Sequence, residues 1–585
     1  MARRPHRSIP DRGTPSSRAE SRRGLVGYHG PMQATEQSID GRGRDPGSKG
    51  SIPELLISLL ISFVMAMTAR GFVLEGFVIP TGSMAPTLMG QHVSWESPQT
   101  GWRYDFNGIP STESGVFPLW MRARSSGTPM SWWDPMFGLS KPVVRETPAR
   151  LTPSSGDRVI VLKSLYPFSS PDRFDVVVFK NPTDPVGPTQ NYIKRLVGLP
   201  GEQLAIVDGD LFRGDLDVAP DRLQVARKPE FVQRAVWQPV YRSGYQPVDL
   251  PRWEESARSS WWGAPFRPVE GSGSWTIGTA REWTCSAPGE STLEWNLAEW
   301  PVTDFNPYNV FRSGAPPLST SPYPMSDLRV VGVIEPDDPA SFRGTRFTMR
   351  SRGMTYDWIL EEGTASLRMT SIADGTVAAS DSVECPLPGG SFKVEFWQVD
   401  QQMWLFVDGD LVLRLPFDGW SPAQRFLASY PGVSPEQYLK DPTGPRPAPP
   451  ELSWSFSGSP FTLRGVGLDR DLFYRPTRLD RHNQKSENGP FLAGNGFGTD
   501  FENPGRIEPD QFLMCGDNSA ASRDGRIWGR PHPLSMGYTG DDAPFLVPRK
   551  MLIGKAFSVY WPAPLPFPGT DSHWVPNFGR LRFIR

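Results

Sequence analysis

A mainly β protein behind one apolar helix, with an inserted β-sandwich domain, is the fold class the sequence predicts. Three observations predict it. The run Ile52 to Val73 is 22 residues long and almost wholly apolar. The rest of the chain is punctuated by 63 Pro and 57 Gly, and that proline share is about twice the usual one. Between those breaks lie short alternating or continuously apolar runs of strand length. At 585 residues the chain is too long for one core and divides into two or more domains. A net charge of -2 gives no electrostatic footprint for nucleic acid, and no nucleic-acid partner is expected.

Residues 1–51 are rich in Arg, Ser, Gly and Pro and should form a disordered tail. A helix over 52–73 would rise ~33 Å, enough for a hydrocarbon core of ~30 Å. The tail holds ten Arg and Lys, against one, Arg103, in the thirty residues after Val73. The positive-inside rule then places the tail in the cytoplasm and everything after the span outside, in a single-pass topology. A cleaved secretory signal is the alternative, favoured by the small residues around Ala66 to Ala69. Against it, the apolar run starts some fifty residues in and is long for an h-region.

The segment 76–88 is a dense turn, FVIPTGSMAPTL from Phe77 to Leu88, with Ser83 between Pro80 and Pro86. Residues 90–155 are an aromatic-rich insert whose Trp and Tyr suit either a bilayer interface or a cover for the sheet. Residues 156–207 carry four strand-like runs: GDRVIVLK, RFDVVVFKNP, NYIKRLVGLPG and EQLAIVDGDLF. A Pro- and Trp-rich stretch with weak periodicity, 208–326, reads as an irregular insert. Strand signals return over 327–475, including the meander VEFWQVDQQMWLFVDGDLVLRLPF with Asp408-Gly409 as its hairpin turn. Regular strands of that kind suggest a β-sandwich. Residues 476–505 read as a polar linker. Residues 506–585 hold a second dense motif, QFLMCGDNSAASRDGRIWG, and a last strand, MLIGKAFSVYWP.

Three cysteines, Cys285, Cys385 and Cys515, show no CxxC spacing, and six scattered histidines show no HExxH. No metal site and no cofactor are expected. A disulfide between Cys285 and Cys385 and buried free thiols are both open.

Ser83 needs a base to act as a nucleophile. His92 is near in sequence but stands alone. Lys194 lies in an apolar run, with Tyr192 and Ile193 before it and Leu196 and Val197 after. A lysine is a base only when neutral, and burial lowers its pKa from ~10.4 toward the ~7–8 of catalytic lysines. Alone, each is an ordinary residue, one in a turn and one in a strand. Their conjunction with the 516–529 segment is what points to chemistry.

These segments resemble bacterial signal peptidase I, the Ser/Lys leader peptidases. Four motifs carry the resemblance in order. They are Pro80-Thr81-Gly82-Ser83-Met84-Ala85-Pro86-Thr87-Leu88, Gly156-Asp157-Arg158-Val159, Tyr192-Ile193-Lys194-Arg195, and Gly516-Asp517-Asn518 with Ser522, Asp524 and Arg526. They cover about 150 of the 585 residues. The resemblance implies a discontinuous β-rich catalytic domain, 76–207 with 506–585, split by a laminin-G or concanavalin-like sandwich. It implies Ser83 as nucleophile, Lys194 as general base, and an oxyanion hole at the Ser83 N–H and the Thr81 hydroxyl. Ser522 would orient the lysine, and Asp524 with Arg526 would brace it. Phe77, Ile79, Leu88 and Ile193 would line a shallow pocket for small side chains. Gly525 stands where the family often has Ser.

The implied activity is removal of signal peptides from secreted preproteins at the bacterial cytoplasmic (inner) membrane, on its outer side. The implied partners are signal peptides and the lipid bilayer, and the sandwich suggests a glycan or protein ligand. Ten residues separate Val73 from Ser83, so the serine lies within ~35 Å of the membrane surface even if that link is extended. A catalytically inactive anchored binding protein, using the sandwich, is the reading from another class. Intact Ser83, Lys194 and Ser522 argue against it. A self-cleaving repressor-type Ser/Lys protease shares the dyad but not the span or the GDN motif.

Overall fold

The computed structural model describes residues 52–97, 100–107, 130–132, 134, 136, 138, 144–146, 153–247, 264–278, 281–309, 322–479, 488–565 and 575–585. The expected tail 1–51 and much of the 90–155 insert lie outside the described residues. By its contacts the chain divides into two units, 1–64 and 65–585. Ile52–Val73 forms one helical run of 22 residues with mean hydropathy 2.0 and no buried residue. A helix apolar all round, with no face packed against protein, is suited to an apolar solvent. It is α-helical over Ile52–Thr68, and its last turn, Ala69–Val73, widens to the i→i+5 pattern. Leu74 is extended, and the chain enters the strand Leu74–Val78 without a loop.

The first large sheet gathers strands from both ends of the 65–585 unit. Its order is Leu74–Val78, Arg158–Leu162, Leu552–Trp561, Val176–Lys180, Asn191–Gly198, Gln511–Cys515 and Val547–Pro548, with Arg582–Phe583 on Leu552–Trp561. All its pairings are antiparallel. Val176–Lys180 is buried over four consecutive residues and Asn191–Gly198 over its last five. Those strands are covered on both faces, which is why they read as continuous apolar runs. Ile79, Met84 and Leu88 pack with Val159, Val161, Val176 and Val178 into the core beneath the serine turn. The LVGLPGE segment closes on itself: Glu202 accepts from the Leu199 N–H at 2.7 Å and takes the Arg173 fork at 2.8 and 2.5 Å.

EQLAIVDGDLF, one run by composition, is two strands. Glu202–Val207 and Asp210–Asp215 pair across Asp208 and Gly209, both at positive φ. With Gln224–Val225 and Gly505–Ile507 they make a four-stranded sheet.

The sandwich is larger than its strand signals suggest. One sheet of eight strands runs Trp275–Ile277, Trp283–Cys285, Phe461–Arg470, Leu328–Pro336, Phe392–Val399, Gln402–Val407 and Asp410–Pro416, with Gln238–Arg242 also on Phe461–Arg470. The other, of seven, runs Phe266–Pro268, Ser291–Trp295, Glu451–Ser457, Gly344–Ser351, Met354–Glu361, Thr364–Ser371 and Val377–Glu384. Five of these strands fall between 238 and 295, inside the segment expected to be irregular. The boundary expected at 327 therefore cuts through both sheets. Those five strands are three to five residues long, too short to show a period. The core between the sheets is aromatic, with Trp283, Trp358, Trp454, Phe347 and Phe396 all buried. Leu328–Pro336 alternates buried and half-buried residues without a break, the period-two signature of one covered face. Asp408 and Gly409 are both at positive φ, as a two-residue hairpin turn requires. Gly494–Asn495 and Gly505–Ile507 put short strands at the end of the expected linker. All three cysteines are free thiols, Cys285 and Cys515 buried and Cys385 half-buried.

Buried ion pairs join the four-stranded sheet to the sandwich. Arg352 grips Asp208 with two bonds of 2.5 and 2.9 Å, and both side chains are fully buried. Lys228 lies 2.6 Å from Asp400 and 2.8 Å from Asp471.

Candidate active site

Ser83 sits in a single 3₁₀ turn, Gly82–Met84, entered from extended Thr81 and left through Ala85. The turn is tied down from below. Asp157 is fully buried, and its carboxylate accepts from the Met89 and Ala563 N–H groups, each at 2.9 Å. Its backbone bonds to Met89 and Ile79 at 2.8 and 2.9 Å. That is the physical role of the Gly156-Asp157 motif: it clamps both ends of the turn. From the other side Asn518 donates its N–H to the Ser83 carbonyl at 3.1 Å and its amide to the Gly82 carbonyl at 2.9 Å.

Lys194 comes from the strand Asn191–Gly198. Its Nζ donates to Ser83 Oγ at 2.6 Å and lies 3.2 Å from the Ile193 carbonyl. The lysine is 3% exposed. Burial pulls its pKa down from 10.5 to about 8, against the upward pull of Asp524 and Asp517. An apolar strand context therefore yields a buried amine, not one that reaches to water.

The next residue on that strand, Arg195, is fully buried and holds Asp517 through a fork of 2.8 and 2.7 Å. Burial is the largest single influence and would lower the guanidinium pKa, but the Asp517 charge and hydrogen bond, with Tyr474 and Asp471, together outweigh it and the net shift is upward. This pair fixes the GDN segment to the lysine strand. Arg195→Met should leave Asp517 buried and unpaired and destabilise the fold by about 3–5 kcal/mol. Chemical denaturation against the parent checks it.

Asp524 and Arg526 form a second buried fork, at 2.9 and 2.8 Å, and Asp524 also accepts from the Gly516 N–H at 2.9 Å. Burial, the largest single influence, pushes the Asp524 carboxyl up, but the Arg526 charge and hydrogen bonds, with those from Gly516 and Ser522, together overcome it and the net shift is downward. Ser522 is buried beside Asp524, whose carboxyl pKa it helps to lower, and it makes no bond to Lys194. Gly525 stands where there is no room for a side chain. A Cβ there would lie 2.6 Å from Leu513 Cδ1 and 2.8 Å from the Phe545 carbonyl.

A cleft of ≈ 370 Å³ opens over the dyad, lined among others by Thr81, Ser83, Tyr192, Ile193, Lys194 and Tyr308. Of the four residues expected in the pocket, Ile193 lines this cleft. Ile79 and Leu88 are 3% and 0% exposed and belong to the core below it, with Phe77 packed against that core. Thr81 is exposed at the cleft.

Tyr308, from the segment expected to be irregular, went unsingled in the sequence. Its ring lies against Gly82 so closely that a Cβ at Gly82 would fall 1.8 Å from Tyr308 Cε1. Gly82→Ala should destabilise the protein by about 1–3 kcal/mol through overpacking. Adding Tyr308→Ala should restore most of that loss in a double-mutant cycle read by thermal unfolding.

Residues 136–255 match the family model described as "Signal peptidase, peptidase S26". The match contains Lys194 but not Ser83 or the 516–526 segment. That segment is similar to the signal-peptidase family, and the match stands beside the resemblance of the four motifs. No curated protein matches the chain. Among solved structures, a carbohydrate binding module CBM66 from Bacillus subtilis is similar at 11% identity, covering 35% of this chain and 96% of its own, with a TM-score of 0.20. Sheep galectin-11 in complex with glycerol is similar at 10% identity, over 24% of this chain and 88% of its own, with a TM-score of 0.16. A Crh5 transglycosylase in complex with NAG is similar at 10% identity, over 35% and 78%, with a TM-score of 0.21.

Proposed function

We propose that the chain is a membrane-anchored serine endopeptidase of the signal peptidase I type, cutting preproteins after small residues. The observation that carries the reading is the 2.6 Å contact between Ser83 Oγ and the buried Lys194 amine. When Lys194 is neutral, the same contact runs with the serine hydroxyl donating. The amine takes that proton as Oγ attacks the scissile carbonyl. The Ser83 N–H and the Thr81 hydroxyl are assigned to the developing oxyanion. The lysine ammonium then protonates the leaving amine, which departs and leaves an ester on Ser83. Water, deprotonated by Lys194, hydrolyses the ester and returns both groups to their starting state. Ser522, buried beside Asp524, is assigned the orienting role by resemblance. Asp524 and Arg526 brace the segment that carries Ser522.

The apolar run Ile52–Val73 is the anchor. By the charge rule its N-terminal side faces the cytoplasm and the peptidase unit faces outward across a bacterial inner membrane. The test is the full-length protein in detergent with a preprotein carrying Ala one and three residues before the cut. Expected is one product, starting at the mature N-terminus by mass. A protein that binds the preprotein and never cuts it overturns the reading in favour of the anchored binding protein.

A further inference from the structure

Between the sandwich strands Ser291–Trp295 and Leu328–Pro336 the chain runs out to the serine turn. It is anchored at Asp304, which accepts from Arg475 at 3.0 Å and from the Tyr323 N–H at 2.8 Å. Over the next five residues it reaches the catalytic motifs. Asn306 donates to the Ala85 carbonyl at 3.3 Å. The Tyr308 hydroxyl donates to the Gln91 carbonyl at 2.9 Å, and its ring covers Gly82. Asn309 and Asn518 exchange amide hydrogen bonds of 2.7 and 2.8 Å. Asn518 is the residue that holds the Gly82 and Ser83 carbonyls.

Tyr308 is 3% exposed, yet it lines the same cleft as Ser83 and Lys194. A residue serving only to glue two modules together need not border that cleft. The ring is fixed at three points: its hydroxyl on Gln91, its edge on Gly82, and its neighbours Asn306 and Asn309 on Ala85 and Asn518. A wall so held cannot swing away from a bulky substrate side chain.

We propose that the inserted module completes the cleavage site, with Tyr308 as a specificity-determining wall of the substrate cleft and Asn309 as a positioning residue acting on the serine turn through Asn518. The proposal rests on the peptidase reading above. The ligand it concerns is an extended peptide, one of whose side chains near the scissile bond sits against the Tyr308 ring and is limited in size by it.

The test uses the full-length protein in detergent and a series of preproteins. Each differs from an all-Ala parent by one Val or Leu within three positions of the cut. With Tyr308→Ala, kcat/KM for the larger residue at one position should rise about tenfold relative to Ala, the scale of discrimination one or two methylenes provide. Tyr308→Phe should keep the parental ratio at every position. Tyr308→Leu, which keeps bulk against Gly82, is the second variant should the Ala form not fold, and should shift the ratio in the same direction. Asn309→Ala should lower kcat with little change in KM. Unchanged ratios at every position in folded Tyr308→Ala or Tyr308→Leu protein overturn the proposal while leaving the peptidase reading standing. Failure of the parental protein to cut any of the series overturns both.

Discussion

Ser83→Ala is expected to abolish cleavage of a preprotein, with activity reduced by about a thousandfold or more and the fold unchanged. The dyad acts as a unit, so Lys194→Met should lose about as much, and the double variant little more. What survives in either variant is set by substrate binding and the oxyanion donors, which in other serine hydrolases keep about 10³–10⁴-fold over water. The structural consequence of Ser83→Ala is small. Ser83 is half-buried, and its hydroxyl is engaged by Lys194. Its backbone carbonyl, which holds Asn518, is untouched. Purified protein from each variant, titrated against one preprotein by gel or mass readout, decides the matter. Parental-rate cleavage by Ser83→Ala means that another group is the nucleophile.

How much of this was legible in the sequence depends on the range over which each signal acts. The apolar run around Lys194 left two outcomes open, burial or an amine reaching to water, and the conjunction with the Ser83 turn and the GDN segment is what favoured burial. The hairpin at Asp408-Gly409 was legible from its turn chemistry. The matching turn at Asp400 and Gln401 was not. Both residues adopt positive φ, but neither is Gly or Asn. Asp400 is held instead by long-range bonds from the Lys228 N–H at 2.7 Å and Nζ at 2.6 Å. The sandwich strands before 300 were hidden for a related reason, since three to five residues between prolines and tryptophans carry no measurable period.

The site divides along the same line. The Ser83 turn, Lys194 and the GDN segment are local motifs, each readable in under a dozen residues. Tyr308 and Asn309 sit in NPYNV, whose Asn-Pro marks a turn, here the 3₁₀ turn Pro307–Asn309, but carries no sign of what that turn touches. Their partners Gln91 and Asn518 are 217 and 209 residues away in sequence. Contacts of that range leave no periodic trace. The pocket residues fell between the two cases. Ile79 and Leu88 are apolar and near Ser83, but proximity along the chain did not distinguish the cleft wall from the core under it.

The second large effect concerns Lys194 and pH. With the amine at about 8, roughly a tenth of it is neutral at pH 7, against well under a thousandth for an ordinary lysine. Activity on a fixed preprotein should therefore climb about tenfold per pH unit up to pH 8 and level off above it. A limb that instead keeps climbing through pH 8 and levels off only above pH 10 would mean that the amine is solvated. The same depression acts on stability. Between pH 8 and 10.5 the unfolded chain still holds the proton that the folded chain has lost, so stability rises with pH across that window. Below pH 8 the lysine is charged in both states, and the fold carries the whole burden of a buried cation, on the order of 3 kcal/mol. Lys194→Met removes that burden while filling nearly the same volume. At pH 7 the inactive variant should be more stable than the parent by up to roughly that amount, with the gap closing as pH rises from 8 toward 10.5. Denaturation at pH 7 and pH 10 on both proteins reads the difference directly. A Met variant less stable than the parent at pH 7 would show that Lys194 holds the serine turn by its charge, and the base assignment would lose its physical footing.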